Sequence, residues 1–358
     1  MIASSIIKVF LPASASFLIG ILFAPILTHY LFKHRVWKKT VHKTALDGTP
    51  AVEFEKIRTE MHAGTETSTP RMGGILIWIT VLFVTLSLWM LARIVPIPLT
   101  QKLDFLSRSQ TWMPLFTLMA GAVIGFINDL LDIHPSGERG IPLRTRILFV
   151  TLISGFIGWW FYMKLGMDSI GIPGDGTFHL GIFIVPLFIL ISIGLYAGGI
   201  IDGIDGLAGG VFSTIFMAYA GIAYFQNQIN LAAFCATLTG AILAFLWFNI
   251  PPARFWMTET GTMGLTLTLA VIAFLTDVPG NGYGVLALPI IAFPLVVTVL
   301  SSIIQVVSKK FRGKKVFRIA PLHHHFEAIG WPSYKVTMRY WIISIMSAIA
   351  GMTIALLK

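Results

Sequence analysis

Uncharged apolar runs of about 20 residues, the length a helix needs to cross a bilayer, recur along the whole of this 358-residue chain. They lie at roughly 5–32, 73–95, 109–131, 145–165, 181–201, 207–225, 231–250, 262–277, 285–307 and 339–357, and windows of this kind read as membrane-spanning helices. Hydrophobic residues make up 56% of the chain and charged residues 12%, a balance outside the range of a soluble globular domain. The expected fold is an all-α polytopic integral membrane protein of about ten transmembrane helices, a single domain over 1–358. The first run is too long and too weakly flanked by positive charge for a cleaved signal peptide, so it reads as a retained helix.

Ten spans put both termini on one side. If the loops after the odd-numbered spans share a face, that face holds 20 of the 26 Lys and Arg residues, most of them in 33–72 and 308–339. The positive-inside rule makes it cytoplasmic and leaves both termini outside. A net charge of +10 fits anionic lipid or a phosphorylated substrate better than nucleic acid, because the basic residues sit beside membrane spans and no nucleic-acid-binding pattern accompanies them. The lone Cys235 lies inside an apolar span and reads as a small core residue. Pro-Gly and Asp-Gly signals in the external stretch 168–180 predict a small hairpin. Pro289 and Pro294 predict a kink in the ninth span, opening a groove that could take a lipid tail.

Acidic residues number only 16, yet three groups of them fall at the expected cytoplasmic ends of the central spans. Asp129 and Asp132, three apart, share a helix face. Asp202 and Asp205 are set among six glycines in 198–210, ahead of a helix start, where Asp205 has the alternative role of an N-cap. Glu259 stands among threonines in a short loop leading into the next span, with hard oxygen ligands of the kind magnesium prefers. For Asp132 the plain alternative is a solvated helix end, and for Glu259 a helix cap.

A fourth group, His323, His324 and His325, uses three of only nine histidines in one loop, beside Lys309, Lys310, Arg312, Lys314, Lys315 and Arg318. Adjacent histidines rarely aim at one ion, so hydrogen bonding to a diphosphate or sugar suits them better than zinc. Carboxylates and cations on one side of the membrane are the arrangement expected of a magnesium-dependent reaction on a diphosphate.

At these residues the chain resembles the polyprenyl-phosphate N-acetylhexosamine-1-phosphate transferases. The resemblance runs from Thr69-Pro70-Arg71-Met72-Gly73-Gly74 through Gly125-Phe126, Asp202 to Ala208 and Phe245 to Asn249, to Pro321-Leu322-His323-His324-His325-Phe326-Glu327. The triple histidine is its most specific element and favours the branch that handles muramoyl-peptide donors. The resemblance implies that UDP-MurNAc-pentapeptide and undecaprenyl phosphate react with magnesium, giving lipid I and UMP, as the lipid phosphate attacks the β-phosphate of the nucleotide sugar. It implies a cytoplasm-facing active-site cleft in a bacterial plasma (inner) membrane, and leaves room for a homodimer.

Carried over residue by residue, the resemblance implies catalytic roles for Asp129, Asp202, His324 and His325, and metal binding by Glu259 and Asp202. Substrate contacts fall to Asp205, Asn249, His323, Arg71 and the position of Gly199. The chain also departs from the family pattern. Asn128 replaces the first of two adjacent aspartates, Glu259 replaces the aspartate that ligates magnesium, and Gly199 replaces an asparagine. Arg71 stands for a threonine, Asp132 for a lysine, and Glu66 aligns with another lysine. If Arg71 compensates for the missing cations, it must lie within reach of the Asp129 and Glu259 carboxylates.

Overall fold

The computed structural model describes residues 2–37, 68–107, 109–134, 140–172, 176–277 and 282–357. Among them, ten helices are long and apolar enough to cross a membrane. The long elements are α1 (Ile2–Lys33), α2 (Ile75–Ile94), α4 (Trp112–Ile133), α5 (Leu143–Leu165), α6 (Ile184–Gly198), α7 (Leu207–Phe225), α8 (Ile229–Asn249), α9 (Thr258–Leu275), α11 (Phe293–Arg312) and α13 (Ser333–Leu356). Between them lie the short α-helices α3 (Pro98–Leu103), α10 (Gly284–Ile291) and α12 (Leu322–Ala328). The chain is an all-α polytopic membrane protein, as its hydropathy predicts.

Burial separates a core from a lipid-facing shell. In the most apolar stretch of α9, 94% of residues are buried, against 22% in α1, so α9 is the central post of the bundle. It packs along α4 and α6, while α8 lies between α1 and α7, and α13 crosses α7 and α10. Glycine allows α4 to approach α9 closely: a Cβ on Gly125 of α4 would lie 2.0 Å from the Glu259 carbonyl oxygen, a distance no side chain tolerates.

The expected hairpin forms. Strands β1 (Ser169–Ile172) and β2 (Gly176–His179) pair antiparallel, with Ser169 opposite His179. The proline-rich ninth span is broken at Ala292 into α10 and α11, with Pro294 in the first turn of α11, where its missing N–H costs no helical bond. Gly313, at φ +64°, ends α11.

Several boundaries differ from the expectation, for one reason. α11 runs to Arg312 rather than 307, α13 starts at Ser333 rather than 339, and α9 starts at Thr258 rather than 262. Hydropathy stops at the first charges, whereas the backbone continues helical into the polar margin. Lys335 and Arg339 there lie over the Trp331 ring at 5.1 and 4.1 Å. Two site segments expected as loops are therefore helical: Glu259 is in the first turn of α9, and the three histidines lie within α12.

Candidate active site

The C-terminal ends of α4, α6, α8 and α11 meet the N-terminal ends of α2, α5, α7, α9 and α13 at one end of the bundle. All the expected site residues gather there. Pro70 and Gly73 exchange backbone hydrogen bonds with Trp256, which fixes the segment carrying Arg71 against the start of α9.

Thr258 is the hub. Its φ of +55° is unusual for a β-branched residue and marks a strained backbone of the kind that clusters at functional sites. In that conformation its N–H donates to Asp202 Oδ2 at 2.7 Å and its hydroxyl to Asp129 Oδ2 at 2.5 Å. Asp129 Oδ2 also accepts from the N–H and the hydroxyl of Thr260, at 2.8 and 2.6 Å. The other oxygen of Asp129, buried without a hydrogen bond, faces Arg71 Nη2 at 3.6 Å.

Arg71 Nη2 also lies 3.3 Å from Asp132 Oδ2, so Asp132 is an ion-pair partner and not a solvated helix end. The compensating arginine reaches Asp129 but does not pair with Glu259. That carboxylate is held by Arg146 of α5, with the Tyr196 hydroxyl 3.5 Å from its second oxygen. Neither partner stands out in the sequence analysis, although a guanidinium at the start of a membrane span is itself a signal. Asn128 accepts the Ile141 N–H at 2.9 Å, so the amide in place of a carboxylate tethers the approach to α5. Glu66 lies outside the described residues.

Asp202 and Asp205 separate in role. The capping alternative for Asp205 fails, because the residue before α7 is Gly206, and the Asp205 carboxylate instead accepts from Ala253 N and Trp256 Nε1 at 3.0 and 2.9 Å. Asn249 is likewise committed at both ends, accepting from Gly206 N and donating to the Phe255 carbonyl. These two expected substrate contacts brace the 250–257 loop. At Gly199 a Cβ would lie 3.3 Å from the Thr262 side chain, so Thr262 fills the space beside that position.

Burial pushes the Asp202 carboxyl up to about 6, helped by the Asp129 and Asp205 charges and opposed by the Thr258 N–H and Arg71. Among the described residues no group of three or more His, Cys, Asp or Glu is gathered for a metal. Magnesium commonly binds one or two carboxylates and completes its shell with water and phosphate oxygens. Asp202 fits that sparse mode, since only its Oδ2 is hydrogen-bonded among the described residues. Glu259 fits it less directly, because Arg146 holds it.

The histidine helix closes the other wall. A Cβ on Gly203 would fall 2.6 Å from His324 Nε2 and 2.8 Å from His323 Nε2, so the glycine next to Asp202 is what admits both imidazoles. His323 is fully buried with neither ring nitrogen hydrogen-bonded, and burial beside His324 holds it well below the ordinary imidazole range. His324 Nδ1 lies 2.8 Å from Glu327 Oε2, and Glu327 Oε1 accepts the Ser333 hydroxyl at 2.6 Å. His325 Nδ1 accepts the Arg318 N–H at 3.2 Å. From α13, Thr337 and Trp341 donate to the carbonyls of Asp205 and Gly206, locking the acidic turn to the helix that follows the histidines.

Residues 111–277 match the family described as glycosyl transferase family 4. The phospho-N-acetylmuramoyl-pentapeptide-transferase of Geobacillus sp. (strain WCH70) is 34% identical over 81% of this chain and 84% of its own length. The protein of the same name from Bacillus velezensis is 30% identical over 94% of this chain and 95% of its own. That of Clostridium perfringens (strain SM101) is 36% identical over 66% and 72%.

Proposed function

The chain belongs to the phospho-N-acetylmuramoyl-pentapeptide-transferase family, a glycophosphotransferase of peptidoglycan synthesis, and on that premise we propose that it moves phospho-MurNAc-pentapeptide from UDP-MurNAc-pentapeptide to undecaprenyl phosphate. The products are lipid I and UMP, and the reaction takes place at the cytoplasmic face of a bacterial plasma membrane. One observation carries the reading: Asp129, Asp202, Arg71 and the histidine helix converge at one end of the bundle, around Thr258 and Gly203.

An oxygen of the lipid phosphate forms a bond to the β-phosphorus of the donor, and the bond from that phosphorus to the bridging oxygen breaks, so UMP departs with the electron pair. A phosphate monoester has its second pKa near ~6, so the attacking oxygen is already ionised at neutral pH and needs no base. Asp129, with three donors on one oxygen, acts as the organiser that positions Arg71. Arg71, together with an N–H donated by His325, offsets the charge that spreads over the phosphoryl oxygens. Asp202, with Glu259 nearby, would hold magnesium, whose chemistry there would be Lewis-acid stabilisation of the diphosphate.

Purified protein incubated with undecaprenyl phosphate, magnesium and either UDP-MurNAc-pentapeptide or UDP-GlcNAc tests the reading through UMP release. UMP is expected from the muramoyl donor alone. Release from UDP-GlcNAc alone would reassign the donor, and release from neither would overturn the proposal.

A further inference from the structure

His324 and His325 are neighbours in sequence, yet their Nδ1 atoms meet opposite partners. His324 Nδ1 faces a carboxylate oxygen of Glu327, and an ionised carboxylate only accepts. The proton of the neutral ring therefore belongs on Nδ1, which leaves Nε2 as the acceptor. His325 Nδ1 receives a backbone N–H from Arg318, so its proton belongs on Nε2, which becomes a donor. Glu327 is itself fixed, 4% exposed and held on its second oxygen by Ser333.

We infer that Glu327 and Ser333 are positioning residues that hold His324 in the tautomer opposite to that of His325, so α12 offers substrate one hydrogen-bond acceptor and one donor from consecutive imidazoles. His324 Nε2, against Gly203 and one residue from Asp202, then suits a hydroxyl of the nucleotide sugar. The N–H of His325 suits a phosphate oxygen. The assignment of these partners rests on the transferase reading; the tautomers themselves do not. Glu327 has no role legible in the sequence, because its partner Ser333 lies beyond the motif, at the start of α13.

The test uses the full-length protein in lipid nanodiscs with 15N-labelled histidine rings, at about pH 8, where free imidazole is neutral. Signals are assigned by their loss in H324N and H325N. The expected spectrum shows His324 protonated on Nδ1 and His325 on Nε2. In E327A the single His324 tautomer is lost and kcat for UMP release falls about 10- to 100-fold, the scale on which carboxylates orienting an imidazole act, with KM little changed. E327D recovers part of both signals, and S333A gives a smaller effect of the same kind should E327A fail to fold. A wild-type His324 carrying its proton on Nε2, or an E327A protein with unaltered His324 signals and turnover, overturns the inference. If the wild-type protein releases no UMP from any donor, the transferase reading fails while the ring-nitrogen spectra still decide the tautomers.

Discussion

At the scale of single residues, three of the site's carboxylates face two arginines. Arg71 serves Asp129 and Asp132, and Arg146 serves Glu259. The Arg146 and Glu259 side chains are 20% and 26% exposed, so their coupling contributes on the order of 1 kcal/mol to stability. We expect Arg146→Ala and Glu259→Ala each to lower UMP release, and the double variant to lose little more than the worse single one. Fully additive losses in that double-mutant cycle would show that the pair does not act together. Gly203→Ala is expected to cut turnover at least tenfold and lower stability by about 1–3 kcal/mol, the usual cost of overpacking, because the methyl group would displace His323 and His324. Wild-type kinetics and melting in that variant would mean the imidazoles yield without consequence. The acidic residues were legible from their scarcity and position in the sequence. The pairings were not, because Arg146 lies 113 positions from Glu259 and nothing local links them.

At the scale of elements, the end of the bundle opposite the site has its own junction. Asp277, just beyond α9, accepts the Val285 N–H at 2.7 Å, and backbone N–H groups of Gly284 and Gly171 also help hold its charge. It thereby ties α9, α10 and the hairpin together. Burial nevertheless pushes its carboxyl from 3.8 up to about 7. Between those values the unfolded chain has released the proton while the folded chain keeps it, so stability falls as pH rises from about 4 to about 7 and levels off above. Asp277→Asn keeps an acceptor and removes the titration. Melting in detergent should show a flatter pH dependence for the variant across that window, and parallel curves would remove Asp277 from the account. The sequence led to the hairpin through its turn residues, whereas this junction joins segments too far apart to read.

At the scale of the molecule, the basic residues predict which end faces the cytoplasm, and the bundle collects Asp129, Asp202, Glu259 and the histidines at the end those charges flank. The orientation can be tested with single cysteines, since native Cys235 is 0% exposed. In intact cells a membrane-impermeant maleimide should label His179→Cys on the hairpin and spare Lys314→Cys after α11. Labelling in the reverse pattern would invert the topology. The sequence by itself determined the spanning helices, their number, the kinked ninth span and the family. Those depend on composition over some 20 residues and on short motifs, which survive any packing arrangement. Only the tertiary structure decided that Asp205 and Asn249 brace a loop, that Arg71 serves Asp129 while Arg146 takes Glu259, and that Gly203 admits the imidazoles. Each of those outcomes depends on ångström-scale distances between helices far apart in the chain, and helix packing alone sets those distances.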